Sequence, residues 1–161
     1  MLTQKRLKEL LDYDPETGEF KWKIARQRVK IGTIAGSLDT RGYRQITVDS
    51  IRYYTHRLVW LYVNGKWPPN DMNHINGVKD DNRLANLREA TRSETMQNQR
   101  CVRISNKSGF LGVSWHKRRE CWMACIGING KRQKLGCFDN AEEAHAAYLK
   151  AKAELHPYST L

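Results

Sequence analysis

The sequence predicts an α+β protein built from two modules, and three observations predict it. Short runs with period-two alternation recur between Gly, Pro and Asp turns, as in Phe20-Lys-Trp22, residues 43–48 and residues 51–55. Near the end of the chain, Asn129-Gly130 is a strong hairpin signal; it is followed by a returning run, Lys131 to Phe138, and then by a capped apolar stripe. Between these regions lies QRCVRISNKSG, residues 99–109, which is polar, ends in glycine and is a linker by composition. The expected division is residues 1–100, a linker at 101–108, and a second module at 109–161. With 161 residues, the chain is long enough for two small domains.

The first element is a short helix. Thr3 caps it, Leu2 and Leu7 occupy the staple positions around the cap, and Leu7, Leu10 and Leu11 share one side. Asp14-Pro15-Glu16-Thr17-Gly18 reads as a turn, and Phe20 with Trp22 as a strand. Residues 21–30, KWKIARQRVK, hold five basic residues and no acid; the run is either a solvated face or a track for a phosphate backbone. Two strands joined near Asp49-Ser50 come next. A short helix starts near His56 and is stopped by Gly65 and Trp67-Pro68-Pro69. Arg88 to Thr91 fits a short strand, and Ser93 fits the cap of a polar helix running to about Arg100. In the second module, Gly112 to Trp115 starts a strand. Trp122, Ala124, Ile126 and Ile128 alternate on one face of the next. Asn140 caps a helix with Glu143 at the capping-box position, and Ala144, Ala147, Tyr148, Ala151 and Leu155 form its stripe. Trp122 and Tyr148 read as core.

Charge narrows the partner class. The chain carries 28 Lys and Arg against 17 Asp and Glu, a net +11, which points to a polyanion and first of all to nucleic acid. The surplus is shared by both modules. The longest apolar run, Leu58 to Val63, is far too short for a membrane span, and the N-terminus lacks the apolar core of a signal peptide, so an intracellular, cytoplasmic chain is expected. Cys101, Cys121, Cys125 and Cys137 contain no C-x-x-C pair and read as reduced thiols. Cys121, Cys125 and His116 do not have a common zinc spacing, and Cys125 and Cys137 read as small buried residues on strands.

One stretch is chemically dense. MNHINGVKDDNRLANL, Met72 to Leu87, surrounds a single histidine with four asparagines and two adjacent aspartates. Asn76-Gly77 fits a hairpin turn that leaves His74 near the end of its first strand. The amides of Asn82 and Asn86 can bond backbone carbonyls and fix the shape of that turn. An imidazole held in this way can take a proton from water near neutral pH.

These residues carry a resemblance. H56-R-L-V-W, N73-H-I-N-G, D81-N-R, N86-L-R and S93-E-T-M-Q-N98 occur in the order found in the HNH endonuclease family, especially its small phage-type and homing members. The resemblance covers residues 56–100 and implies a ββα-metal module there. It further implies a DNA endonuclease or nickase with His74 as general base, Asn86 propping the loop that carries the base, and a divalent metal, Mg²⁺ or Mn²⁺. The family's metal ligands fall on Asn73 and Thr95, with Asn98 one turn further along. Asn73 stands where the family has Asp, so the implied site has no anionic anchor. A DNA-binding protein with a degenerate, inactive nuclease fold is therefore the alternative.

The second module carries another resemblance. S108-G-F-L-G-V-S-W, W122-M-A-C-I and L135-G-C-F-D-N-A-E-E-A-H-A-A-Y resemble the plant ethylene-response-factor, or APETALA-type, DNA-binding domain. The resemblance implies that a three-stranded antiparallel sheet, backed by one helix, enters the major groove of double-stranded DNA. Its contact positions fall on Ser114, His116, Arg118, Arg132 and Lys134. Lys117, Arg118 and Arg119 offer a further phosphate grip.

Overall fold

The computed structural model describes residues 1–25, 29–98, 102, 104–128, 130–157 and 159. The chain divides into two compact units, Met1–Thr91 and Arg92–Leu161. The part of the basic run at 26–28, Arg100, Cys101 and Asn129 lie outside the described residues.

In the first unit α1 (Gln4–Leu10) is capped by the Thr3 hydroxyl, which accepts from the amide of Arg6. It leads directly into β1 (Leu11–Asp14), which pairs antiparallel with β2 (Glu19–Trp22). β1 carries only a weak alternation, and the sequence patterns gave it no strand. A three-stranded sheet follows, with β3 (Ser37–Leu38), β4 (Arg44–Val48) and β5 (Ile51–Tyr54) in that spatial order. Asp49 and Ser50 make its tight turn with φ of 46° and 65°, the mirror-type geometry that suits the strand twist. Helix α2 (Thr55–Asn64) starts without a pause and closes at Gly65 in the left-handed region. Leu7, Leu10, Leu11, Phe20, Ile46, Val48, Leu58, Val59 and Leu61 form one buried core between α1, α2 and the strands.

Two further strands complete this unit. β6 (Asp71–His74) pairs antiparallel with β7 (Leu87–Ala90). Asn76-Gly77 does not make a two-residue hairpin between them. It only begins a longer loop, residues 75–86, that ends in a 3-10 turn at Leu84–Asn86. The loop is longer because its amide side chains satisfy its backbone, so no second strand is required after Gly77.

In the second unit α3 (Arg92–Gln97) begins before Ser93, which lies inside the helix rather than capping it. β8 (Val113–His116), β9 (Cys121–Ile128) and β10 (Lys131–Phe138) form an antiparallel sheet with β9 in the centre. α4 (Ala141–Leu155) is capped by Asn140, whose side chain accepts from the amide of Glu143 at 2.8 Å. Val113, Ala124 and Ile126 pack on Ala144, Tyr148 and Ala151 of α4. Trp122 is half-buried at the edge of that core. Leu155 is exposed, and Lys152 is buried among the stripe positions instead. Cys125 is buried as expected, whereas Cys137 is exposed. No helix among the described residues is long and apolar enough to cross a membrane.

Candidate active site

His74 is the last residue of β6, opposite Leu87 of β7, and is buried. Its Nε2 lies 3.2 Å from Asn82 Oδ1. The orientation of that amide is fixed from its other end, where Asn82 Nδ2 donates to the carbonyl of Asp80 at 3.0 Å. With the oxygen facing the imidazole, Nε2–H is the donor and Nδ1 is the unprotonated nitrogen of the neutral ring. Burial is the largest influence on His74 and holds its pKa below the ordinary value; the Asn82 hydrogen bond opposes this in part. The imidazole is thus kept neutral and in one tautomer, as a general base must be.

The loop that holds Asn82 is braced by amides. Asn86 Oδ1 accepts from the amide of Asn76 at 2.9 Å, and its Nδ2 donates to the carbonyl of Asp81 at 2.8 Å, so one side chain ties both ends of the loop. Asn76 Nδ2 donates to Asp81, whose carboxylate also takes both ends of the Arg83 guanidinium fork at 2.7 and 2.6 Å. Arg83 first, then Asn76, holds the Asp81 carboxyl down at a pKa of about 2.

Residues distant in sequence pack around His74. The His56 ring meets the His74 ring edge-on at 5.2 Å and stacks on Tyr54 at 5.4 Å. Tyr43 lies 5.7 Å from His56 and 6.0 Å from His74. Burial, then the neighbouring His74 and Arg57, drive the His56 pKa down to about 3. From the other side Tyr13 Oη donates to the carbonyl of Asn82 and accepts from the amide of Leu84, both at 3.0 Å. Gly18, in the β1–β2 turn, lies so close that a Cβ would sit 2.4 Å from the backbone nitrogen of Arg83. Sequence reasoning named His74 and Asn86 as site residues and gave Asn82 only a shaping role. It missed Tyr13, Tyr43 and the contact from His56, although His56 opens the quoted H-R-L-V-W run.

Asn73, beside the base on β6, is half-buried, and its Nδ2 is buried with no hydrogen-bond partner. An amide whose nitrogen has no acceptor can exchange its two ends cheaply, which puts a buried carbonyl oxygen there. Such a hard, neutral donor fits a divalent cation of the Mg²⁺ kind, though weakly, and among the described residues no group of three or more His, Cys, Asp or Glu converges on one point. Thr95 and Asn98, both half-buried, lie at α3 and just beyond its end in the second unit.

In the second unit the register places the expected contact residues together. Ser114 lies opposite Met123, His116 opposite Cys121, Arg132 opposite Gly127 and Lys134 opposite Cys125. These four side chains therefore share the sheet face that α4 does not cover. Arg132 Nη2 reaches Ser114 Oγ at 3.4 Å across the central strand, and Lys117, Arg118 and Arg119 are exposed in the β8–β9 turn.

A histidine closing one strand of a short antiparallel pair, held by asparagine amides from the connecting loop, is the arrangement of an HNH nuclease domain. Residues 53–97 match the family model described as HNH endonuclease. The chain therefore carries an HNH endonuclease domain at these residues. It is similar to Protein 3.8 of Escherichia phage T7, at 34% identity over 102 residues, 63% of this chain and 83% of that protein. Among solved structures it is similar to one described as DNA binding and cleavage by the HNH homing endonuclease I-HmuI, at 19% identity and a TM-score of 0.45, covering 84% of this chain and 75% of that one.

Proposed function

We propose that the chain is a metal-dependent endonuclease or nickase that hydrolyses phosphodiester bonds in duplex DNA. The observation that carries this reading is the His74 imidazole, held neutral with Nε2 on Asn82 and Nδ1 as the basic nitrogen. His74 Nδ1 takes a proton from water as the water oxygen bonds to phosphorus. The opposite P–O bond breaks, and its oxygen leaves with the electron pair and is protonated by solvent. Asn86 keeps the loop, and through it Asn82, in register with the base. A divalent ion, when bound, supplies Lewis-acid stabilisation of the charge on the phosphate and leaving oxygen. Asn73 would give it an amide oxygen.

Delivery to DNA is assigned to the second unit. Ser114, His116, Arg132 and Lys134 on the open sheet face, with Lys117 and Arg118 in the adjoining turn, would contact bases and phosphates. The exposure of Ser114, Lys117, Arg118, Arg132 and Lys134, with His116 half-buried beside them, and the charge surplus of the chain support that role.

A second reading is favoured by Asn73, which brings no charge to the metal position: a DNA-binding protein whose nuclease fold is inactive. Nicking of supercoiled plasmid in Mg²⁺ or Mn²⁺ separates the two. Wild type is expected to nick, and His74→Ala to lose nicking while keeping its affinity for DNA. Equal rates for both proteins remove His74 from its role, and no cleavage by wild type with either metal leaves the inactive-fold reading.

A further inference from the structure

Two exposed cations lie beside the aromatic wall next to His74. Lys79 Nζ lies 5.1 Å from the centre of the Tyr43 ring and donates to the carbonyl of Arg41 at 2.9 Å. The Arg41 guanidinium lies 5.9 Å from the Tyr43 ring and 5.9 Å from the Tyr54 ring, and it hydrogen-bonds the Tyr54 hydroxyl. Tyr43 is the ring that packs on His74.

Both cations are held in place, and at most one long, exposed ion pair offsets their charge. Next to Lys79, the Asp80 carboxylate takes Arg44 Nε and Nη2, both at 2.8 Å, which anchors the start of the site loop to β4. Among the described residues no carboxylate pairs with Lys79; it rests on a neutral carbonyl and a ring face. Arg41 touches Asp39 at the long distance of 3.5 Å and remains 65% exposed. The Asp39 carboxylate is already occupied by the amides of Arg41 and Tyr43, both at 2.9 Å, and by the side chain of Gln45. Two exposed cations beside one aromatic ring, one without a carboxylate partner among the described residues and the other only loosely paired, form a site for an anion.

We propose that Arg41 and Lys79 together grip one backbone phosphate of the DNA strand presented to His74, with the Tyr43 ring setting the distance between that phosphate and the base. This rests on the nuclease reading of His74 for which strand is bound, but not for whether the grip exists. It gives the first unit a phosphate contact of its own, separate from the sheet face of the second unit.

The test is the salt dependence of duplex DNA binding by the full chain in EDTA, where no cleavage occurs. A phosphate contact contributes about 0.9 to the slope of log K against log salt concentration. The double variant Arg41→Gln/Lys79→Gln is expected to lower that slope by about one, and Arg41→Lys/Lys79→Arg to keep the wild-type slope. Because the second pair preserves charge on the same loops, a loss seen only with glutamine reports the contact and not the fold. An unchanged slope in the glutamine variant overturns the grip, even if His74→Ala abolishes nicking. A lowered slope upholds the grip, even if the wild-type chain never nicks, and in that case the nuclease reading alone fails.

Discussion

At the scale of single residues, two imidazoles in edge-on contact inside a core make stability depend on pH. His56 has an ordinary pKa of 6.5 in the unfolded chain and about 3 in the folded one. Above pH 6.5 it is neutral in both states and adds no pH dependence. Below that, the unfolded chain takes up a proton that the folded chain refuses, so stability falls as pH falls, until about pH 3. At pH 5 the loss from this group is about 2 kcal/mol. His74, also depressed by burial, acts in the same direction. His56→Phe should therefore bring the urea midpoints at pH 5 and pH 7.5 closer together than in wild type; equal gaps in the two proteins would mean that His56 does not fold as the neutral ring. Asn73→Asp addresses the metal. A tenfold gain in affinity needs only about 1.4 kcal/mol, and an adjacent carboxylate can exceed that after desolvation. The Mg²⁺ concentration for half-maximal nicking should fall in Asn73→Asp. Coincident curves for the two proteins would place the metal elsewhere.

At the scale of elements, the N-terminal hairpin supports the site loop from outside. Tyr13 on β1 makes two hydrogen bonds to the loop, and Gly18 in the β1–β2 turn lets the loop backbone approach. Tyr13→Phe removes the partner of the half-buried Leu84 amide at a cost of about 1 kcal/mol, so exchange of that amide should accelerate severalfold. Gly18→Ala should be worse. A φ of +76° alone costs about 1–2 kcal/mol for an L side chain, and the new methyl meets backbone that cannot give way. Nicking should drop in both variants, and unaltered activity in Gly18→Ala would show that the loop tolerates displacement. Little of this was legible in the sequence. Local signals identified Thr3, Asp49-Ser50, Gly65 and Asn140 because each acts on its own neighbours. The Tyr13 contacts depend on partners some seventy residues away, which no period or turn signal encodes, and β1 lacks a clear alternation of its own although its partner β2 is close in sequence. The Asn76-Gly77 expectation failed for the opposite reason: a strong local turn signal was overridden by side chains that satisfy a longer loop.

At the scale of the molecule, the division into Met1–Thr91 and Arg92–Leu161 falls before α3. The sheet-and-helix order of the second unit was readable because each strand and cap is signalled locally and its contacts are short in sequence. A fragment of residues 104–161 holds that sheet, its hairpin and the capped helix. That fragment carries 9 basic and 5 acidic residues, so it should bind duplex DNA with a steep salt dependence. Absence of a gel shift at low salt would remove the open sheet face from its assigned role.

The asparagine-rich loop also has a chemical lifetime. Asn-Gly is a sequence prone to deamidation, in which the following backbone nitrogen attacks the side-chain carbonyl, and asparagine is a thermolabile residue for that reason. In the folded chain the Gly77 amide is engaged with the carbonyl of His74 at 3.1 Å, and both ends of the Asn76 side chain are tied, to the amide of Val78 and to Asp81. Folding thus shields the one peptide bond whose rearrangement would lengthen the backbone two residues from the base. Ageing at this site should follow the unfolded fraction, so variants that loosen the loop, such as Tyr13→Phe, should accumulate isoaspartate at position 76 faster than wild type in peptide mass spectra, whatever their initial activity.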